Sequence, residues 1–112
     1  MAGERMRRVD EAVRQVLADA LAAELSDPRV GFVTVTDVKT SPDLRAARVF
    51  VSVLGDESAR AESLAGLRSA HGVLQGAIAG QLHLKRTPTL EFVYDSTTDR
   101  ALRVETLLRE RA

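Results

Sequence analysis

The chain contains no cysteine, so neither a disulfide framework nor a thiolate metal site is open to it. It has no apolar run of the roughly 20 residues needed to cross a bilayer, and its polar start, residues 1–8, is not followed by the apolar stretch of a secretory signal. A soluble, cytoplasmic protein is expected. Histidine is scarce: His71 and His83 are the only two, and they lack the short helical spacing of a zinc pair. No phosphate-binding glycine loop, nucleophile elbow or dinucleotide fingerprint is present. Asp95 and Asp99 flank a hydroxyl-rich turn that superficially suits acid–base chemistry, but capping a following helix is the simpler use of such residues. These absences argue against an enzyme and against any cofactor or metal. Internal repeats, linkers and low-complexity segments are also missing, so the 112 residues read as a single domain over 1–112.

What is present is most informative between residues 27 and 54. Asp27-Pro28-Arg29 should end a helix, because proline disfavours helical angles at the residue before it and brings no N–H of its own. Gly31 then leads into Phe32-Val33-Thr34-Val35-Thr36, whose β-branched residues and polar alternation suit a half-buried strand. Ser41-Pro42-Asp43-Leu44 supplies turn residues, and residues 45–54 return as a second strand with Val49, Val51 and Val53 on one face. An antiparallel pair joined by a loop longer than a tight hairpin is predicted.

Ahead of this pair, Val9, Ala12, Val13, Val16, Leu17, Ala20, Leu21 and Leu25 recur at three- and four-residue spacing, predicting one amphipathic helix over 5–25. After Gly55, residues 57–83 again read as helical through Leu64, Leu67, Leu74, Ile78 and Leu82. Kept straight, that helix would be roughly 40 Å long, against a radius of gyration near 13 Å for a domain this size, so a bend is required. Ala70-His71-Gly72 is its expected place, with Gly66, Gly76 and Gly80 as competitors. The spacing of Gly72, Gly76 and Gly80 also suggests a face for close packing against the first helix or the sheet. Thr87-Pro88 should close the helix, Leu90-Glu91-Phe92-Val93-Tyr94 alternates as a third strand, and residues 101–108 suit a last helix through Leu102, Val104, Leu107 and Leu108.

The expected architecture is α+β: a three-stranded sheet covered on one face by helices and more polar on the other. Its core should draw on Val13, Val16, Leu17, Leu21, Val49, Val51, Val53, Leu67, Leu74, Ile78, Leu82, Leu90 and Phe92. Phe32, Phe50, Phe92 and Tyr94 are too few to build a base-stacking sheet as well, since most are needed inside.

Sixteen cations balance sixteen acids, which at first argues against a nucleic-acid partner. Their distribution argues the other way. Arg5, Arg7, Arg8 and Arg14 crowd the start, Arg45 and Arg48 flank the second strand, and Lys85 and Arg86 sit together, while Asp19, Glu24 and Asp27, and again Asp56, Glu57 and Glu62, cluster elsewhere. A basic face with an acidic flank is expected.

The order helix, strand, strand, helix, kink, helix, strand resembles a type II KH domain, an RNA-binding fold. Asp27-Pro28-Arg29, Gly31, Ser41-Pro42-Asp43-Leu44, Ala47-Val49-Val51 and the run from Pro88 to Asp95 are similar to the ribosome-binding factor A family, over roughly residues 7–108. KH domains usually clamp the nucleic-acid backbone with a Gly-x-x-Gly loop between paired helices. This family has an Ala-x-Gly kink there instead, which Ala70-His71-Gly72 fits. The resemblance implies a non-catalytic, monomeric factor that binds free 30S subunits rather than 70S ribosomes and promotes 16S rRNA folding and 5′-end processing, with a role in cold growth. Family members often carry a longer charged C-terminal extension, so contacts made through such a tail are expected to be missing from a chain ending at Ala112.

Candidate rRNA contacts are Arg7, Arg8, Arg45, Arg48, Lys85 and Arg86, with a solvated surface charge as the competing reading of each. Lys85 and Arg86 could equally complement a helix dipole. Ala70 and Gly72 should shape the kink, with His71 projecting from it either as an RNA contact or as an exposed spacer. The main alternative function is a KH-like module binding single-stranded RNA, or a protein, outside ribosome assembly.

Overall fold

A computed structural model describes residues 2–23 and 30–96. Helix α1 (Ala2–Ala23) precedes strands β1 (Val33–Thr40) and β2 (Ala46–Val53), helices α2 (Glu57–Ser69) and α3 (His71–Gln81), and strand β3 (Thr89–Tyr94). The proline stop at 27–29, the capping hydroxyls at 97–98 with Asp99, and the helix expected over 101–108 lie outside the described residues.

The sheet order is β1-β2-β3. β1 and β2 pair antiparallel from Val33 opposite Val53 to Thr40 opposite Ala47. β3 runs parallel to β2, with Ala46 opposite Thr89 and Val51 opposite Tyr94. A parallel neighbour cannot be reached by a hairpin, and α2 with α3 form the crossover that joins them. α1 lies against β1 and α3, and α2 against β3, so one face of the sheet is covered and the other is open.

The core sits between those layers. Val13, Val16, Leu17 and Ala20 of α1 meet Val49, Val51 and Val53 of β2, Leu67 of α2, and Leu74 and Ile78 of α3. Leu21 and Leu82, expected inside, are only half-buried at its margin. Phe32 is 80% exposed at the end of the sheet, where its carbonyl accepts from the Leu54 N–H, and so is not one of the aromatics used inside.

β1 runs four residues past the stretch that alternation marks as strand, and a bulge is the reason. The register shifts between Val35 and Asp37, placing Thr36 and Asp37 outward in succession and turning Val38 inward, where it is buried. The Asp37 carboxylate accepts from the Val38 N–H at 2.8 Å, and Asp10 of α1 accepts from the Thr40 N–H at 2.8 Å. Side-chain oxygens thus occupy backbone donors along an edge strand, which protects it from pairing with other chains.

α2 begins where Asp56 accepts from the Ala59 N–H at 2.8 Å. Gly55 turns into this cap at φ +129°, and a Cβ there would stand 2.8 Å from that of Ala59, so both conformation and space require glycine. The bend between α2 and α3 falls at Ala70, whose φ of −91° and ψ of 6° any residue can adopt. Its N–H donates to Gly66 and Leu67 carbonyls, and its own carbonyl accepts from Leu74, so hydrogen bonding carries through the bend. Gly72, Gly76 and Gly80 are all exposed, and a methyl group on any of them would meet no atom within 4 Å. The close packing expected of that glycine face is therefore absent. α3 also stops at Gln81, well short of Pro88, because Leu82 turns extended at φ −116° and ψ 138°.

Candidate nucleic-acid interface

Two places in this fold bring sequence-derived candidates to the surface: the bend itself and the far end of α3. At the bend, His71 is exposed and its Nδ1 lies 3.2 Å from the Arg68 carbonyl. A carbonyl only accepts, so this contact is a hydrogen bond with the proton on Nδ1, which leaves Nε2 as the other polar atom of the ring. Ala70 provides the turn, while Gly72 lies in the first turn of α3 with open space around it.

The cations divide by whether an internal partner already holds them. Arg48, on the open face of the sheet, is 3.9 Å from Glu91 of β3, and Lys39 on the same face is 3.7 Å from Asp37. Arg45 is 3.5 Å from Asp43, and Arg8 is 3.5 Å from Glu4 one helical turn away. Arg14 donates from Nε to Glu11 at 2.9 Å, which raises the pKa of the guanidinium and lowers that of the carboxyl. Arg60 stacks over the Tyr94 ring at 3.9 Å, and Arg68 reaches the Phe92 carbonyl. Among the described residues, Arg5, Arg7, Lys85 and Arg86 are the cations that make no hydrogen bond, ion pair or ring contact.

Three of those four converge. Arg5, Lys85 and Arg86 line a groove of about 1110 Å³ formed where the N-terminal turns of α1, the β1–β2 loop and the segment after α3 come together. Its floor is apolar: Met6 and Val9 from α1, Leu44 from the loop and Leu84 from the segment after α3, each half-buried. His83, exposed, also lines it, as does Asp43 of the loop.

The loop wall is built rigidly. Leu44 donates its N–H to the Ser41 carbonyl at 2.9 Å, closing the turn around Pro42 and Asp43, and Ser41 N–H donates to Ala46 at 2.8 Å. The Asp43 carboxylate accepts from the Ser41 hydroxyl at 2.7 Å and from the Arg45 N–H at 3.1 Å. These hydrogen bonds, the Ser41 hydroxyl first, hold the Asp43 carboxyl below its ordinary value. They also over-determine Leu44, which sits at φ +61°, a left-handed conformation costing a non-glycine residue about 1–2 kcal/mol. The loop backbone thereby places Leu44 in the lining of the groove.

Of the residues singled out in the sequence, the structure brings Lys85 and Arg86 together with Arg5, leaves Arg7 free nearby on α1, and ties Arg8, Arg45 and Arg48 to carboxylates. Sequence reasoning missed Arg5 as a contact and missed the floor altogether. The available signal was that Met6 and Val9 extend the apolar stripe of α1 by one turn beyond the core, with Arg5 beside it. No cluster of three or more metal-ligating side chains occurs among the described residues, and no helix among them is long and apolar enough to cross a membrane.

The family model described as ribosome-binding factor A matches residues 5–108. The chain belongs to the ribosome-binding factor A family. Ribosome-binding factor A of Anaeromyxobacter sp. (strain K) is 50% identical over 107 residues, which is 95% of this chain and 78% of that one. The crystal structure of ribosome-binding factor A from Thermus thermophilus superposes with a TM-score of 0.71 at 29% identity, over 80% of this chain and 94% of that one. A homology model of the Thermus thermophilus ribosome-binding factor A, fitted into a cryo-electron-microscopy map of a 30S complex, superposes with a TM-score of 0.64 at 30% identity, over 79% and 92% of the two chains. The mixed sheet with helices on one face and the bent α2–α3 pair are those of ribosome-binding factor A, a KH-like fold.

Proposed function

We propose that this chain is a non-catalytic assembly factor of the small ribosomal subunit, which binds free 30S particles in preference to 70S ribosomes and promotes late folding and 5′-end processing of 16S rRNA. The observation that carries the reading is the convergence of unpaired cations on one groove of a ribosome-binding factor A fold, a family with a member fitted into a 30S map. Lys85, Arg86 and Arg5 are the phosphate contacts, Arg7 is a further unpaired cation on another side of α1, and His71 is an exposed polar contact at the bend. Arg8, Arg45 and Arg48 contribute less, because RNA must first displace a carboxylate from each. The protein acts as a cytoplasmic monomer and needs no cofactor. It shifts a conformational equilibrium of the RNA by binding one state better, and since misfolded helices live longer in the cold, that help matters most at low temperature.

Sucrose-gradient cosedimentation of the purified protein with 30S, 50S and 70S particles at two salt concentrations tests this. Selective migration with 30S, weakened by salt, is expected. Equal binding to all three, or unchanged cold growth and 16S processing in a deletion strain, would overturn it.

A further inference from the structure

The groove holding Arg5, Lys85 and Arg86 lies at the opposite end of α3 from the bend, about 16 Å away along a helix of 11 residues. Its composition does not suit a surface that meets only a phosphate backbone. Phosphate contacts need cations and donors on an open surface; they have no use for an apolar floor. Here Met6, Leu44 and Leu84 form such a floor, and a leucine held in a left-handed conformation by a hydrogen-bonded loop is part of it. The volume is close to the range of sites that enclose small organic ligands. Bases in a duplex are stacked and paired, so only an unpaired nucleotide can present both an apolar face to the floor and a phosphate to the rim.

We infer that this groove captures one unpaired nucleotide of single-stranded RNA, its base against Met6, Leu44 and Leu84 and its flanking phosphates on Arg5, Lys85 and Arg86. The inference rests on the RNA-binding reading above and assigns it a second contact point, independent of the bend. The acidic alternative, a carboxylate-rich peptide, would use the same cations but leaves the floor without a partner.

The test uses the full chain and fluorescence anisotropy with a labelled eight-nucleotide single-stranded RNA, the same sequence in a duplex, and oligoglutamate of equal charge as competitor. Leu44→Gly removes the floor side chain at a position where glycine suits the backbone, so the fold is retained. Leu84→Ser provides a second probe from a different segment. The single strand should bind more tightly than the duplex, each variant should weaken it about five- to tenfold, and oligoglutamate should compete poorly. The inference is overturned if the single strand does not bind, if the duplex binds equally well, if both variants bind as the parent does, or if oligoglutamate displaces the RNA at equal concentration. Parallel 30S cosedimentation of the parent chain separates the two ideas: 30S binding with unaltered variants rejects the nucleotide groove alone, whereas absent 30S binding rejects the assembly role whatever the oligonucleotide does.

Discussion

The open face of the sheet and the groove below α3 both carry cations, yet they are electrostatically different surfaces. On the sheet, Arg48 and Lys39 each face a carboxylate within 4 Å, so the surface is a mosaic of dipoles. In the groove, Arg5, Lys85 and Arg86 share a lining rich in apolar side chains and are paired with no carboxylate; the one acid of that lining, Asp43, is held by Ser41 and Arg45. Exposed pairs of the first kind contribute only about 0–1 kcal/mol to stability, but each acid lowers the local potential available to an external anion. Charge that is spent internally differs from charge that is held ready, and a net charge of zero conceals which is which.

The largest expected effect tests that contrast directly. Replacing Arg5, Lys85 and Arg86 together by alanine should weaken single-stranded RNA binding by tenfold to about a hundredfold and flatten the slope of log K against log salt by about 2, at roughly 0.7 per lost phosphate contact. The matched change on the sheet, Lys39→Ala with Arg48→Ala, should alter affinity less than about twofold. Equal losses from the two sets would erase the distinction.

A destabilising change away from both regions sharpens it further. Gly55→Ala puts a side chain at φ +129° and a Cβ against Ala59, which should cost about 1–3 kcal/mol of folding stability in a urea titration. The protein that remains folded should bind RNA normally, which separates lost folding from lost contacts. A smaller effect is expected from pH. Asp43 titrates below its ordinary range because it is hydrogen-bonded in the folded loop. Its contribution is therefore fully present above the ordinary carboxylate pKa and is lost as pH falls through that value toward the lower folded one. Amide exchange at Leu44 and Arg45 should rise across that acid window before the core opens, and Asp43→Asn should abolish the early rise.

Much of this fold can be read from hydrophobic spacing. α1, the antiparallel pair, the necessity of a bend and the third strand all follow from periodicity and turn chemistry, because each is decided by residues close in sequence. The second half of β1 is not legible, since the bulge at Thr36 and Asp37 breaks the alternation that marks a strand. The glycine face misleads for a related reason: regular spacing signals small side chains but not whether a neighbour uses the space, and here none does. In the candidate site, the cations are visible in sequence and their pairing is not. Glu91 reaches Arg48 only through the parallel register of β2 and β3, which is fixed by the crossover rather than by either strand. The groove itself needs three separated segments, 5–9, 42–44 and 83–86, to meet.

That parallel register supplies the finest test of the comparison. Glu91→Gln keeps the strand and the side-chain length but removes the acid facing Arg48. If pairing is what silences the sheet face, releasing Arg48 should add roughly one phosphate's worth of salt dependence, about 0.7 in slope, and a two- to threefold gain in RNA affinity. The gain should vanish in Glu91→Gln with Arg48→Ala, because then no freed cation remains. A gain that survives the double change would mean that Glu91 acts by long-range repulsion of RNA rather than by holding Arg48. No gain at all would mean that the open face is silent because its geometry does not meet RNA, and pairing would lose its explanatory place there while the groove kept its own.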